Sequence, residues 1–302
     1  KRWILIVFFD KDKIPNIHKF FKIGMMFSFI SIIICINLLV SKSILLDNFN
    51  SKIVDKMACI DSEKIVKVGI IDGPINENHP RLRQVKILKK IFTMKYSEKD
   101  MEHGTSIAGV ITTDNKEEYK GIIPFENIEL YNASVMSDGY SSQKDIVSAI
   151  KWLVEQKVDI INISLDFREY SEELKRLLED ISIPIFISNG NGGYSNKNTK
   201  VIKNDNIYYV GKISKKRKRI NNRKNKNIIF LPGDEIPSIT NEMDTPFKYF
   251  SGSSYSTAIT TGIYCYNLIC NESHLDIRKN ETEILRKYRR LQIEKGYEAN
   301  KN

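Results

Sequence analysis

Short runs of apolar residues, rich in Val and Ile, recur along most of the chain, and each run predicts a buried β-strand. They span residues 65–71, 128–135, 160–165, 183–188, 207–210 and 228–231. Two segments between these runs have their apolar positions at helical spacing instead. The first covers residues 142–157 and starts with Ser142 and Asp145 in the arrangement of a capping box. Residues 171–181 predict a second helix.

The alternation of strands and helices predicts the fold class. It is typical of an α/β domain in which a mostly parallel sheet has helices on both faces and forms three layers. In such folds the functional residues lie in the loops that follow the carboxyl ends of the strands. We therefore expect a three-layer domain over residues 64–270, with its chemistry in the loops after its strands.

An uncharged segment near the N-terminus has the length of a membrane span. Residues 23–40 contain no charged side chain and lie between Lys22 and Lys42. As a helix they would reach about 27 Å, close to the hydrocarbon thickness of a bilayer. A buried helix of a soluble fold would normally have a polar stripe, and this segment has none. We therefore predict a transmembrane helix ahead of the α/β domain.

Lysines precede this segment, so the positive-inside rule predicts a cytoplasmic stretch 1–22, a linker over 41–63 and an extracellular domain beyond it. A cleaved signal peptide is the alternative interpretation. No small-x-small cleavage site follows Val40, and the stretch before the apolar segment is long. An uncleaved, single-pass signal-anchor in the cell membrane is therefore favoured.

Composition excludes several classes of protein. The 302 residues are 41% hydrophobic and 10% aromatic, which excludes a disordered or fibrous chain. Four cysteines without a CxxC motif or a Cys/His cluster exclude a disulfide scaffold and a recognisable zinc site. Cys265 and Cys270 are expected to pack as small apolar groups.

The chain is basic, with 47 Lys and Arg against 37 Asp and Glu and a net charge of +10. Many basic residues lie in the segment 212–227, which predicts a solvated loop. Nucleic-acid binding would need interleaved aromatic side chains and a known binding fold. The segment has neither, so no nucleic-acid partner is expected, although contact with anionic lipid or a cell-envelope polymer is an alternative. Residues 271–302 form a charged tail.

Four short motifs follow or flank the predicted elements, and each alone has an ordinary structural explanation. Asp72 ends the first strand in a Gly-Pro turn, and His103 begins a segment whose small residues let a helix pack closely. A glycine-rich turn contains Asn191, and Ser254 starts a long apolar helix. Together they supply a carboxylate, a base, an oxyanion donor and a hydroxyl nucleophile.

The order Asp, His, Ser along the chain is that of subtilisin. Over residues 64–270 the sequence resembles the subtilisin-like serine proteases, the subtilases. Further shared features are the HP-x-L motif that begins at His79, the strand DIINISL at 159–165, and Pro232-Gly233 ahead of the serine motif. The resemblance implies the subtilisin-like fold and a serine endopeptidase that hydrolyses peptide bonds through an acyl-enzyme.

The same resemblance implies a role for each matching residue. Ser254 would be the nucleophile, His103 the general base and Asp72 the carboxylate that orients the imidazole. Asn191 matches the oxyanion-hole asparagine, whose loss in subtilisin costs about 2.7–4 kcal/mol of barrier. An extended peptide substrate would pair along the substrate-binding positions, which are Ser164, Leu165, Asp166 and Gly192.

Several positions depart from the family's usual motifs, and none of these changes removes a reacting group. Gly73-Pro74 replaces the usual Ser/Thr-Gly after the aspartate. Ser106 stands where the motif HGTH has its second histidine. Tyr255 and Ala258 replace the Met and Pro of the serine motif. These changes put the efficiency and breadth of the activity in question.

Asp166 stands where the family often has a glycine, which predicts narrow specificity with a basic substrate residue near the scissile bond. The alternative is that its carboxylate merely faces solvent. Between Val40 and Asp72 there is too little chain for a separate folding propeptide, which indicates a different route of activation. A tethered enzyme of this kind would process secreted peptides or proteins at the cell surface.

The alternative function is a catalytically weak, membrane-tethered protein that keeps the subtilase fold and holds a peptide in its cleft. The proposed chemistry requires no cofactor, and the residues predict no metal ligand. Calcium, which many subtilases bind, is left open because no acidic ligand loop is evident. The oligomeric state is not predicted.

Overall fold

The centre of the computed structural model is a seven-stranded sheet in which every strand pair is parallel. The structure describes residues 63–114, 120–167, 169–190, 202–213, 227–242 and 247–270. In spatial order the strands are β2 (Lys86–Ile91), β5 (Ile128–Ser134), β1 (Val66–Asp72), β6 (Ile160–Ile163), β7 (Ile185–Ser188), β8 (Ile207–Ile213) and β9 (Ile228–Pro232).

Two short strand pairs lie outside this sheet. The parallel pair is β3 (Thr112–Thr113) with β4 (Ile123–Pro124). The antiparallel pair is β10 (Ile236–Ser238) with β11 (Lys248–Phe250). Neither pair was predicted, because two or three residues are too few to show a hydrophobic period.

Four described helices cover the two faces of the sheet, and they are α1 (Glu98–Ile111), α2 (Gln143–Glu155), α3 (Glu172–Asp180) and α4 (Ser253–Ile269). Helices α1 and α4 share one hydrophobic cluster with Ile70 of β1. Helices α2 and α3 share the other cluster with Ile71, the next residue of the same strand. Successive side chains of a strand point to opposite faces, so the domain has three layers, as the sequence predicts.

The helices begin where side-chain caps are available. Ser142 accepts a hydrogen bond from the backbone N–H of Asp145 at 3.0 Å, at the predicted start of α2. Ser171 caps α3 in the same way. Helix α1 begins with a capping box between Ser97 and Asp100, which the sequence analysis did not identify.

The six predicted strands are present, with some ends shifted: the run 160–165 ends as a strand at Ile163 and leaves Ser164 in the following loop. Strand β2 was missed. Its sequence KILKKI contains three lysines and is largely exposed at the edge of the sheet, so it shows no continuous apolar run.

Several predicted segments lie outside the described residues, namely 1–22, the predicted span 23–40, most of the linker 41–63, most of the basic segment 212–227 and the tail 271–302. Among the residues that are described, no helix is both long and apolar enough to cross a membrane.

The two cysteines near the end of α4 differ in state. Cys265 is free and buried, as expected. Cys270 is disulfide-bonded, and a disulfide at this position was not predicted from the sequence.

Candidate active site

The parallel register brings several strand ends to one edge of the sheet. Strand β1 ends at Asp72, Ser164 follows β6, and β7 ends at Ser188. Helix α4 starts at the same edge, because the side chains of Ser188 and Ser253 are hydrogen-bonded at 2.7 Å, Oγ to Oγ. The chain therefore gathers its candidate residues where parallel sheets place their sites.

Asp72 and His103 are in direct contact. The distance from His103 Nδ1 to Asp72 Oδ1 is 2.6 Å, and the Asp72 side chain is fully buried, whereas the His103 side chain is 26% exposed. A hydrogen bond donated by Nδ1 leaves Nε2 as the unprotonated ring nitrogen. Nε2 has no partner among the described residues, so it is free to accept a proton.

Two glycines allow this contact, because the turn after Asp72 packs backbone to backbone against α1. A Cβ atom on Gly73 would meet the carbonyl oxygen of Asp100 at 1.9 Å. A Cβ atom on Gly104 would meet the carbonyl oxygen of Gly73 at 2.4 Å. The expected close packing of the helix that contains His103 is confirmed at Gly104.

Asn132 fixes the same turn from the neighbouring strand. Its Nδ2 donates to the carbonyl oxygen of Gly73 at 3.1 Å, and its Oδ1 accepts from the N–H of Ile75 at 2.9 Å. The Gly73 N–H in turn donates to Asp72 Oδ1 at 2.6 Å. These bonds orient the carboxylate, and the sequence analysis missed Asn132, whose only signal is a polar residue within a buried strand.

The surroundings of His103 change its basicity. Burial lowers the pKa of the imidazole, but the charge of Asp72, the hydrogen bond to Asp72 and the charge of Asp100 raise it. The net result is a pKa of His103 above its ordinary value. The imidazole is therefore a stronger base than a free histidine, and its protonated form is stabilised by the buried carboxylate.

Ser254 is the second residue of α4, in the first turn, where the backbone N–H groups have no carbonyl group of the helix four residues earlier to bond. Its hydroxyl donates to the carbonyl oxygen of Ser164 at 3.0 Å, not to His103. The next residue, Tyr255, contacts the imidazole of His103, with ring centroids 6.0 Å apart. The structure thus brings Ser254 to Ser164 and its neighbour to His103, but forms no Ser254–His103 hydrogen bond.

A buried network of polar side chains holds the hydroxyl of Ser164 in place. Asn162 donates from Nδ2 to Ser164 Oγ at 2.8 Å, and its Oδ1 accepts from the hydroxyl of Thr261 at 3.0 Å. All three side chains are buried. Sequence reasoning did not identify Asn162 or Thr261 as supports, although a lone Asn inside the apolar strand β6 is a visible signal.

The remaining predicted substrate residues are only partly described. Leu165 is half-buried against the hydrophobic cluster of α2 and α3. Asp166 is exposed, and a Cβ atom on Gly190 would meet its Oδ2 at 2.7 Å, so its carboxylate lies against the chain that follows β7. Asn191 and Gly192 lie outside the described residues.

The described residues contain no group of three or more His, Cys, Asp or Glu side chains suited to hold a metal ion. What the edge does contain is a buried carboxylate bonded to an imidazole whose second nitrogen is free, beside a serine at a helix N-terminus. A carboxylate–imidazole pair can accept a proton from a hydroxyl, and a helix N-terminus stabilises nearby negative charge.

A family model decides the relationship to known proteins, because the model of the Subtilase family matches residues 63–268, more than half of the 302-residue chain. The chain belongs to the subtilase family. Among similar proteins, subtilisin DY of Bacillus licheniformis is 31% identical over 162 residues, which cover 51% of this chain and 58% of subtilisin DY.

An intracellular serine protease of Paenibacillus polymyxa is 30% identical to this subtilase over 216 residues, which cover 65% of this chain and 64% of that protein. This subtilase therefore spans less than two thirds of the length of these two relatives. Among solved structures, the prenylagaramide maturation protease PagA matches with a TM-score of 0.56 at 20% identity, over 74% of this chain and 83% of PagA.

The PatG macrocyclase, solved in complex with a peptide, also matches with a TM-score of 0.56, at 16% identity and over 77% of this chain and 84% of that one. At these identities the similarity to both structures shows the subtilisin-like α/β fold, but it does not show the substrate or the role of any residue. The family and the fold that the sequence predicts are therefore confirmed, whereas the roles of individual residues stay predictions.

Proposed function

We propose that this subtilase is a serine endopeptidase that hydrolyses peptide bonds through an acyl-enzyme. The observation that supports this most is the 2.6 Å contact between His103 Nδ1 and the fully buried Asp72 carboxylate. That contact leaves Nε2 available as a base at the sheet edge where α4 presents Ser254. Ser254 is the proposed nucleophile, His103 the general base and Asp72 the residue that orients and stabilises the imidazole.

The first step of the proposed reaction is a rotation of the Ser254 side chain. The hydroxyl leaves the carbonyl oxygen of Ser164, to which it donates at 3.0 Å, and turns towards His103 Nε2. Apo structures often show catalytic hydrogen bonds that are long or misaligned and form only with substrate. A peptide N–H that pairs with the carbonyl oxygen of Ser164 would favour this rotation, since it competes for the same acceptor.

The covalent step then proceeds as in other serine peptidases. Ser254 Oγ bonds to the substrate carbonyl carbon while its proton moves to His103 Nε2. The C–N bond breaks, the amine leaves with the proton from Nε2, and an ester to Ser254 remains. Water adds to this ester, His103 takes a proton from the water, and the acid product leaves as Ser254 recovers its proton.

The negative oxygen of each tetrahedral intermediate needs hydrogen-bond donors. The backbone N–H of Ser254 is one proposed donor, because Ser254 lies in the first turn of α4 and has no carbonyl group of that helix four residues earlier to bond. The side-chain amide of Asn191 is the second, by resemblance to the family. No cofactor takes part in this scheme, since every reacting group is supplied by the protein or the substrate.

The proposed substrate is an extended peptide segment that pairs beside Ser164 and Leu165. The exposed carboxylate of Asp166 lies near this path and favours a Lys or Arg close to the scissile bond. Processing of exported peptides or proteins fits such narrow specificity better than bulk digestion. Of the structures with the same fold, PagA is described as a maturation protease and PatG as a macrocyclase bound to a peptide.

We also propose that residues 23–40 anchor the protein in the cell membrane, with the catalytic domain outside the cytoplasm. The absence of charge over these residues and the preceding lysines support the anchor and its orientation. The disulfide at Cys270 supports an oxidising location, because disulfides are rare in the cytosol.

A fluorophosphonate probe tests the proposed activity without a known substrate. The full chain is expected to gain one covalent adduct, located on Ser254 by peptide mass spectrometry. Ser254→Ala should not be labelled. Ser251→Ala is the matched control, because Ser251 is an exposed serine of the same segment, and it should be labelled like the parent. An unlabelled parent, or a labelled Ser254→Ala variant, would contradict the proposal.

One observation favours a second candidate, a catalytically weak protein that binds peptides with the subtilase fold. The Ser254 hydroxyl is bonded to Ser164 rather than to His103, as expected of a site that is not used for catalysis. This candidate predicts peptide binding of equal strength in the parent and in Ser254→Ala, with no labelling of either. The same experiment therefore separates the two functions.

A further inference from the structure

Two of the positions at which this chain departs from the subtilase motifs are in contact. The Oγ of Ser106 and the phenol oxygen of Tyr255 are 3.0 Å apart, and both side chains are buried. Ser106 lies about one turn after His103 on α1, and Tyr255 follows Ser254 on α4. The contact therefore joins the helix of the proposed base to the helix of the proposed nucleophile.

The direction of this hydrogen bond follows from a count of hydrogens. Ser106 Oγ also donates to the backbone carbonyl oxygen of His103 at 2.8 Å. A serine hydroxyl has one hydrogen, so the Tyr255 phenol is the donor to Ser106. Burial raises the pKa of Tyr255, and the charge of Asp72 raises it further, so the phenol stays protonated and can donate.

The ring of Tyr255 makes a second contact, directly with the imidazole. The two rings meet edge to face, with centroids 6.0 Å apart and an interplanar angle of 63°. Phe250 of β11 stacks on Tyr255 at 5.3 Å and 19°. The phenol ring thus packs against Phe250 on one side and His103 on another, and its hydroxyl is bonded to Ser106.

We propose that Ser106 and Tyr255 are positioning residues for His103. Ser106 holds the backbone of His103, and Tyr255 holds the tilt of its ring, so that Nδ1 faces Asp72 while Nε2 is aimed at Ser254. Proton transfer depends steeply on such alignment. This inference rests on the proposed function. It explains the two departures from the family motifs, Ser106 and Tyr255, by one shared role in positioning His103.

The test measures how fast the full chain reacts with a fluorophosphonate probe over a range of probe concentrations. Tyr255→Phe and Ser106→Ala each remove one end of the same hydrogen bond. Each is expected to lower the maximal labelling rate about three- to tenfold, which is what one hydrogen bond of ordinary strength contributes. The half-saturating probe concentration is expected to stay unchanged, because alignment affects the chemical step and not binding.

The double variant Ser106→Ala/Tyr255→Phe should be no slower than the slower single variant, because both changes remove one shared interaction. Tyr264→Phe removes a phenol hydroxyl elsewhere on α4 and should react like the parent. A purely structural role would lower the unfolding midpoint while the folded protein kept the parental maximal rate, and that result would overturn the inference. Losses that multiply in the double variant would overturn it as well.

The outcome also separates this inference from the proposed function. If the parent is not labelled, the proposed function fails. If the parent is labelled on Ser254 and both single variants react at the parental rate, the function stands and the positioning role is wrong.

Discussion

The carboxylate of Asp72 and the imidazole of His103 are 2.6 Å apart, from Oδ1 to Nδ1, although the two residues are 31 positions apart in the chain. The first lies at the end of the inner strand β1 and the second in the middle of α1. Their contact depends on the turn that begins at Gly73, which packs without side chains between them.

Removal of the Asp72 charge should change the pH dependence of the reaction. Asp72 raises the pKa of His103, and the base must be unprotonated, so the parental rate should rise with pH through a midpoint above the ordinary histidine value of about 6.5. In Asp72→Asn the midpoint should move to lower pH, and the maximal rate should fall by up to about 10⁴-fold as the wrong tautomer forms.

Probe labelling between about pH 5 and 9 checks this shift. Asp138→Asn removes an exposed carboxylate near the start of α1 and should leave the midpoint in place. An unchanged midpoint in Asp72→Asn would show that the carboxylate does not set the basicity of His103.

The same contact predicts a pH-dependent stability. A raised pKa means that the folded state binds a proton on His103 more tightly than the unfolded chain does. The stabilisation from the Asp72–His103 pair should therefore be fully present below about pH 6.5 and be lost as the pH rises through the folded pKa.

His103→Gln should consequently lose more unfolding free energy, relative to the parent, at pH 5.5 than at pH 9, as urea denaturation would measure. A difference that is larger at alkaline pH would reverse the sign and contradict the assignment of the raised pKa.

Gly104→Ala should disrupt the contact by steric means. The added methyl group would lie 2.4 Å from the carbonyl oxygen of Gly73, and backbone atoms cannot move aside as side chains do. We expect a loss of about 1–3 kcal/mol in unfolding free energy, the usual cost of overpacking, together with a strong loss of probe labelling. Lys99→Ala, on an exposed site of the same helix, is the control and should change neither measurement.

Asn162→Leu should destabilise the domain, because it leaves the hydroxyls of Ser164 and Thr261 buried without their partner. A buried unsatisfied group costs about 1–3 kcal/mol. Denaturation of Thr261→Val and of the double variant provides the check. Since the groups share one network, the double variant should lose less than the sum of the single losses, and strictly additive losses would contradict that view.

Asp166→Asn should weaken cleavage of substrates with a basic residue near the scissile bond, by about tenfold in kcat/KM for one close charge pair. A peptide-library profile compares basic with neutral substrates in the same assay. Asp180→Asn, an exposed carboxylate at the end of α3, is the control. A library profile that is the same in parent and Asp166→Asn would show that the carboxylate merely faces solvent.

The sequence alone was sufficient to predict the strands whose two faces are both buried. β1, β5 and β7 are almost wholly buried and mostly apolar, because each packs against helices on both sides. Edge strand β2 is largely exposed, and its lysines interrupt the apolar run by which the buried strands were predicted. The three caps Ser97, Ser142 and Ser171 show the same contrast, since only the last two precede clear helical periodicity.

The sequence predicted the candidate site's reactive residues, but it did not predict the residues that hold them in place. Asp72 and His103 were predicted together and are found in contact. Asn132 and Asn162 support the site through bonds to distant backbone and hydroxyl groups. Such partners are fixed by sheet register, so no local pattern predicts them.

Peptide hydrolysis by His103→Ala, Ser254→Ala and the double variant tests most directly whether these residues act as one catalytic unit. In such a unit the loss of either member abolishes the shared step, and the second loss adds little. We predict that each single variant falls to the residual rate of the double variant. Losses that multiply in the double variant, or a Ser254→Ala variant that hydrolyses peptide like the parent, would contradict the assignment.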